Sequence, residues 1–481
     1  MDVALRFIQD FLAFGPNVVL PLIMFLLGMI IGMKPAKALG AGLLLGVAFT
    51  GMFMLFDFAF PVLAGAGQTM IQRVPGLAFQ AYDLGWTVAS VISWAWPFAF
   101  LMFPLQIVIN IIMLWAGWTK CLNVDMWNVW HKATLGAFVS ALLGTQFGPT
   151  VALGFGFLVA AVWVVLELLS ADYTREQVYN LTKIPGIAVS HNMLLDIIWM
   201  APILDLIEKI PGIQKIQTSP ADLRRKLGLL GENYILGAIL GLIFGVMAGY
   251  DFRGVAVMMV QCAAIITLFP MLAGLFARAL APIAEGAQAF MQKRFSGRSF
   301  YIGLDWPVLA GVDALWVTGI LIVPFILLFS VILPYNTVLP FGSIIAVSLL
   351  ATVTVVAQGD LVKSVILSII GLPVYFGAAT FFAPYLTDLA IATGAMQVPE
   401  GYGMITWLET NAAGMRLMVF AILDMLNGNI ALGAASIVVL AFCGWYYIRA
   451  MKRRENAAAA ASGGIDGNVR PYADAPAGAA D

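Results

Sequence analysis

The chain has 481 residues and is close to electroneutral, with 25 Lys and Arg against 26 Asp and Glu for a formal charge of −1. Hydrophobic residues make up 62%, charged residues 11%, and mean hydropathy is +0.94; soluble domains carry about twice that charge. These values exclude a soluble globular domain and define an integral membrane protein, with the lipid bilayer as its solvent and no nucleic-acid partner expected.

Met1–Phe14 mixes Asp2, Arg6, Gln9 and Asp10 with apolar residues at helical spacing and carries no A-x-A site after a basic start. An amphipathic interfacial helix is expected there rather than a cleaved signal peptide. Apolar stretches of near-spanning length follow at Pro16–Met33, Ala38–Val62, Thr87–Trp115, Leu135–Leu169, Ile235–Tyr250, Val255–Leu280, Pro307–Leu333, Phe341–Val356, Val365–Tyr385 and Leu417–Ile448. A helix needs roughly 20 residues to cross, so about ten crossings are expected, and about 10–12 helices where a long run is two half-length pieces or a re-entrant hairpin. The runs are continuous rather than alternating, which dismisses spanning strands. The predicted fold class is all-α, a polytopic helical bundle.

Basic residues cluster in three hydrophilic stretches: Lys209 to Lys226, Lys293 to Arg298, and Arg449 to Arg454 after the last span. The positive-inside tendency puts these regions, and with them the C-terminus, in the cytoplasm. No Lys or Arg occurs from Ser364 to Met415, which places the Thr387–Asn411 loop outside or folded back into the protein. Residues 456–481, rich in Ala, Gly and Asp, have no apolar face and are expected to be disordered. The three cysteines, Cys121, Cys262 and Cys443, form no C-x-x-C pair and imply no metal site.

The chain also echoes itself. Gly28-Met-Ile-Ile-Gly32 has a counterpart in Gly245-Val-Met-Ala-Gly249, and Asp83-Leu84-Gly85-Trp86 in Tyr301-Ile302-Gly303-Leu304-Asp305-Trp306. A looser pair is Ala201-Pro202 with Asp205 against Ala383-Pro384 with Asp388. Two repeat-related halves, residues 1–220 and 221–455, are expected, an arrangement common in transporters that bind solute between repeats.

Polar groups in this apolar context are the functional candidates. The chain has two histidines, His131 after Asn123-Val-Asp125-Met-Trp127-Asn128-Val-Trp130 and His191 in Val189-Ser190-His191-Asn192. An ionisable side chain at membrane depth persists where it faces a polar cavity or a partner, so each is either a structural histidine or a site residue. Pro185-Gly186 before His191 implies a helix break, tolerated at depth only where buried or lining a cavity. Asp305 is either the N-cap of the helix that begins at Trp306-Pro307 or a charged acceptor for polyol hydroxyls. Asp313 pairs with a buried group or lines a pathway. Trp86, with Ser90, Ser93, Trp94 and Trp96, marks the headgroup belt or a surface on which the C–H face of a sugar packs.

Taken in order, Asn123-Val-Asp-Met-Trp127-Asn128-Val-Trp130-His131, Ile187-Ala-Val-Ser-His191, Glu208-Lys209-Ile210-Pro211-Gly212, Ala221-Asp222 to Gly228 before Gly231-Glu232, Ala248-Gly249-Tyr250-Asp251, Ile302-Gly-Leu-Asp305 and Ile405-Thr406-Trp407 resemble the galactitol-type IIC permeases of the bacterial phosphotransferase system, over most of the chain from Gly15 to about Trp407. The resemblance implies a permease in the bacterial inner membrane that takes in a hexitol and delivers it phosphorylated. Its partners would be separate cytoplasmic IIA and IIB proteins, since no attached hydrophilic domain carries the phosphocysteine. The related ascorbate permeases imply a homodimer with scaffold and core parts and an elevator-like cycle. By the same likeness Trp86, His131, Ser190, His191, Asn192 and Asp305 meet the substrate, Asp305 also as a possible base, with no cofactor and no metal. Asn192-Met193-Leu194-Leu195 departs from the small and hydroxyl residues expected after that histidine, so another alditol or acyclic sugar derivative stays open as substrate. An ion-coupled secondary transporter using Asp305 and Asp313 is the alternative. A polyol sensor and a metal-dependent membrane enzyme rank below it.

Overall fold

The computed structural model describes residues 16–73, 79–125, 127–184, 186–213, 218–220, 222, 225, 232–294, 300–340 and 342–461. The interfacial helix expected at Met1–Phe14 and most of the Ala221–Gly228 motif lie outside them. A first hairpin joins α1 (Pro16–Ile30) to α2 (Pro35–Gln72). After β1 (Ala81–Asp83) come α3 (Gly85–Trp94), α4 (Met102–Ala116), β2 (Cys121–Asn123), α5 (Trp130–Phe147), α6 (Pro149–Thr182), β3 (Ile187–Val189) and α7 (Ile197–Ile207). A second hairpin joins α8 (Asn233–Ala248) to α9 (Phe252–Arg294). Then follow β4 (Tyr301–Leu304), α10 (Asp313–Ile332), β5 (Val338–Leu339), α11 (Val347–Val356), α12 (Leu361–Thr393), β6 (Met404–Thr406), α13 (Ala413–Asp424) and α14 (Ile430–Ala461).

The two G-x-x-x-G pairs occupy equivalent places, closing α1 and α8 where each turns into its long partner. Gly32 (φ 82) and Gly249 (φ 66) supply the left-handed turn, a conformation that costs other residues more. Along α8, Gly237, Gly241 and Gly245 admit the backbone of α9; a Cβ on Gly241 would lie 2.4 Å from the Met258 carbonyl oxygen. Ala201-Pro202 and Ala383-Pro384, by contrast, fall in different settings, the first in α7 after β3 and the second in α12 before β6.

Among the described residues six helices are long and apolar enough to cross a membrane: Pro35–Gly67, Ala99–Ala116, Pro149–Thr182, Asp313–Ile332, Leu361–Thr393 and Ile430–Arg449. Shorter apolar helices, Val18–Ile30, Asn233–Ala248, Phe252–Leu268 and Val347–Val356, account for the other predicted stretches. The long run Leu135–Leu169 breaks at Gly148-Pro149 into α5 and α6, and Thr87–Trp115 breaks between α3 and α4. Phe341–Val356 does not span, because α11 has 10 residues, nine of them buried from Val347 to Val355. Helix ends at membrane depth are tolerated where protein surrounds them. The last helix continues through Ala461, past the point where the disordered tail was expected to begin; residues 462–481 lie outside the described set.

The strands, dismissed as spanning elements, form two small sheets instead. One has the order β5-β1-β6 and the other β2-β4-β3, each three-stranded and parallel throughout. Exchanging β1, β2 and β3 for β4, β5 and β6 turns the order of one sheet into that of the other. Each sheet thus takes its middle strand from one end of the chain and its flanking strands from the other. The central strands are the two segments whose sequences echo one another, Ala81–Asp83 before Gly85-Trp86 and Tyr301–Leu304 before Asp305-Trp306.

Candidate functional site

Small residues let the strands meet at the site. Gly85 (φ 73) lies against Gly342, where an added Cβ would come within 2.8 Å of the Gly342 carbonyl oxygen. Asp83, fully buried, ties the ends of its sheet together: its carboxylate accepts from the backbone N–H groups of Gly85 (3.2 Å), Ser343 (2.8 Å) and Leu408 (3.1 Å) and from the Ser343 hydroxyl (2.9 Å). In the other sheet Asn123 does this work, its Oδ1 accepting from Asp125 N–H (2.9 Å) and from the Ser190 hydroxyl (2.9 Å).

Both sheets direct the carboxyl ends of their strands to one cavity, with an empty volume of about 530 Å³. Each strand delivers at least one lining residue beyond its C-terminal end. Trp86 follows β1; Asn128, Trp130 and His131 follow β2; His191 and Met193 follow β3. Asp305, Trp306 and Pro307 follow β4, Val347 and Ser348 follow β5, and Glu409 and Asn411 follow β6. Phe49, Met52 and Phe53 of α2 close it on an apolar side. Parallel sheets generally offer ligand sites beyond their carboxyl ends, where loops rather than strands carry the side chains.

The histidines meet. Nε2 of His131 is 3.2 Å from Nε2 of His191. The Met193 backbone N–H donates to Nδ1 of His191 at 3.2 Å, so the neutral His191 ring carries its proton on Nε2 and His131 accepts it. The Asn411 amide lies 3.1 Å from Nε2 and 3.3 Å from Nδ1 of His131. Asp305 caps the 3-10 turn Trp306–Gly311, Oδ1 accepting from Trp306 N–H at 2.6 Å, and stands 3.9 Å from Nε2 of His191. Cap and site residue are therefore compatible readings, since a carboxylate offers about four acceptor positions and the cap uses one. Asn128 is held by Asp125, its amide 2.9 and 2.8 Å from the two carboxylate oxygens.

Of the residues expected at the site, Trp86, His131, His191 and Asp305 come together around the cavity, whereas Ser190 and Asn192 do not line it. The Ser190 hydroxyl is turned back to Asn123, and Asn192 is buried at 1% exposure. Ser90 and Ser93 donate to helical carbonyls, Thr87 O and Ala89 O, and Trp94 and Trp96 pack on Phe103 and Phe98. Asp313 is the first residue of α10, where a negative charge faces the positive end of the helix dipole. Among the described residues no cluster of three or more His, Cys, Asp or Glu side chains is placed to hold a metal ion. Glu409 and Asn411 were not anticipated, although they stand in the cation-free stretch expected to lie outside or to fold back into the protein.

A polytopic helical protein with helix breaks and short strands converging on one cavity of mixed polar and apolar lining is built as a solute permease. The signature of the EIIC-GAT family, described as "PTS system sugar-specific permease component", covers residues 10–401. The chain belongs to that family: it is a multi-pass membrane permease of the phosphotransferase system, which works with IIA and IIB components and a sugar substrate. It is 33% identical over 431 residues to an Escherichia coli K12 protein that carries the name permease IIC component, covering 89% of this chain and 97% of that one. It is 30% identical over 413 residues to the galactitol-specific EIIC component of the same strain, covering 84% of this chain and 89% of the relative. The galactitol-specific EIIC component of E. coli O157:H7 matches equally.

Proposed function

We propose that this chain carries galactitol or a closely related alditol across the bacterial inner membrane, with its C-terminus in the cytoplasm. The observation that supports this best is the makeup of the cavity: three indoles (Trp86, Trp130 and Trp306), two facing imidazoles and two acidic side chains (Asp305 and Glu409) around a space free of lysine and arginine among its described lining residues. A polyol is neutral, so its hydroxyls need acceptors and donors rather than counter-ions, while its C–H faces need apolar walls. Asp305 anchors a hydroxyl, the histidines exchange hydrogen bonds with others, and Trp86 packs against carbon.

In the transfer step a substrate hydroxyl oxygen attacks the phosphorus of a phosphocysteine on IIB. The O–P bond forms, the S–P bond breaks, and the thiolate leaves with IIB. The hydroxyl proton passes to Asp305 or to the histidine pair. Such reactions are governed by in-line positioning and charge stabilisation. Halves 1–220 and 221–455, exchanging strands between the two sheets, serve as repeats, and two copies assemble as a homodimer in which a core moves against a scaffold in an elevator-like cycle.

The test is uptake of radiolabelled galactitol and other alditols into cells expressing the chain, with and without a matching IIA and IIB pair, followed by identification of the internal product. A phosphate ester formed only with both partners supports the proposal, and the preferred alditol names the substrate. Partner-independent uptake of free polyol that collapses with the proton or sodium gradient would replace it with an ion-coupled transporter.

A further inference from the structure

Glu409 lines the cavity and is 3% exposed. Its Oε1 accepts from the backbone N–H of Val347, the first residue of α11. The residue before, Ala346, sits in the left-handed region with φ 48 and offers no side-chain cap. Glu409 therefore satisfies a helix N–H that would otherwise be orphaned. That accounts for one oxygen. Among the described residues Oε2 takes no hydrogen bond from the protein, and it is not sealed into the core like the unpartnered buried atoms elsewhere.

Capping alone does not call for a carboxyl group, because a glutamine or asparagine oxygen also accepts an N–H. A carboxyl group with a spare oxygen at the wall of this cavity suits hydroxyl partners in either protonation state. Ionised, it accepts charge-assisted hydrogen bonds, about twice as strong as neutral ones; protonated, the form that burial favours, it both donates and accepts. Asp305 stands in the same relation to the other sheet. It follows β4, caps the turn beginning at Trp306, and presents its remaining acceptors to the same space.

We infer that Glu409 is a second substrate-binding carboxylate, accepting hydroxyl hydrogen bonds at one end of a linear polyol whose other end is held at Asp305. This rests on the alditol reading of the cavity. It assigns specificity to the segment after β6, and it makes recognition depend on hydroxyls at both ends of the substrate.

The experiment is calorimetric titration of the purified full chain in detergent with galactitol and with 1-deoxygalactitol, which lacks one terminal hydroxyl. Wild type and Glu409→Gln are compared, and thermal unfolding of both is recorded. The variant keeps an acceptor for Val347 N–H, so its unfolding temperature should stay close to that of wild type. Its galactitol affinity should fall roughly tenfold, the scale of one hydrogen bond to a charged group. Wild type should bind the deoxy compound more weakly than galactitol, and this difference should shrink in Glu409→Gln, which can take the deoxygenated end. Equal galactitol affinity in wild type and variant, with the deoxy penalty retained, would confine Glu409 to capping α11 and leave the alditol reading intact. No binding of any hexitol by wild type would overturn the alditol reading and this role with it. Should Glu409→Gln unfold, wild type alone decides: no penalty for removing a terminal hydroxyl excludes recognition at both ends.

Discussion

His131 and His191 are 60 residues apart in sequence, yet their Nε2 atoms lie 3.2 Å from each other with rings inclined at 84°. Two facing nitrogens at this distance need one proton between them, and the Met193 N–H on Nδ1 of His191 decides which ring supplies it. The pair is thus a donor–acceptor chain whose direction is set by the backbone just beyond β3.

Two substitutions at His191 separate its structural and solute-facing nitrogens. Asparagine puts an oxygen near the Nδ1 position, keeping the Met193 bond but withdrawing from His131. Glutamine reaches toward the Nε2 position and gives up Met193. His191→Asn should unfold near the wild-type temperature and lose uptake at least about tenfold, equivalent to 1.4 kcal/mol. His191→Gln should lose about 1 kcal/mol of stability and keep more uptake. Normal transport by His191→Asn would remove the histidine pair from solute handling.

At Asp305 the cap and the charge can be told apart in the same way. Asn accepts from Trp306 N–H as Asp does and ranks alongside it as a cap, so Asp305→Asn should accumulate in the membrane as wild type does. Loss of the charged acceptor should raise KM for the alditol roughly tenfold. Asp305→Ala should in addition lose about 0.5–2 kcal/mol of stability. Uptake kinetics and thermal unfolding of both variants provide the check, and an unchanged KM in Asp305→Asn would end its role as an anchor.

How much of this was legible follows from how sparse the polar residues are. His131, His191, Trp86 and Asp305 stand out because apolar sequence surrounds them, and all four line the cavity. Ser190 stood out equally but faces away, since neighbouring side chains on extended backbone point to opposite sides and the sequence alone does not say which side is the cavity. The sheets were illegible: strands of two to four residues are too short to show a period. Their register joins segments as distant as Ala81 and Met404. Glu409 and Asn411 were missed for that reason, because only β6 pairing with β1 carries them to the site. The stretch that holds α11 reads as a span by composition, and only the helix's shortness and burial show otherwise.

The turned-back Ser190 gives a test of the second sheet. Its hydroxyl donates to Asn123 Oδ1 at 2.9 Å in a buried setting, so Ser190→Ala should cost about 1 kcal/mol of stability and leave KM nearly unchanged. Gly303 on the central strand is less forgiving. An added Cβ would lie 2.5 Å from Cys121 Sγ and 2.6 Å from Ser190 Oγ, so Gly303→Ala should overpack the sheet by about 1–3 kcal/mol. The combination Gly303→Ala with Ser190→Gly should recover part of that loss. A large KM change in Ser190→Ala would mean that its hydroxyl meets the solute after all.

Behind His131, Lys132 on α5 and Glu167 on α6 form an ion pair of 2.5 Å with side chains 2% and 0% exposed. Two charges this deep depend on partners, and the desolvation penalty of each is offset in large part by the other. Removing one partner of a buried pair typically costs 3–5 kcal/mol, whereas replacing both with apolar residues of similar volume is often neutral. Lys132→Met and Glu167→Met should each reduce the folded yield in membranes severely. The double variant should recover folded protein and hexitol binding, since neither side chain lines the cavity. Fluorescence-detected size exclusion of the four proteins, followed by titration with galactitol, reads both effects. Recovery of folding without recovery of binding would show that the pair also orients His131, its neighbour in sequence, and a double variant as damaged as the singles would refute charge compensation as the reason for the pairing.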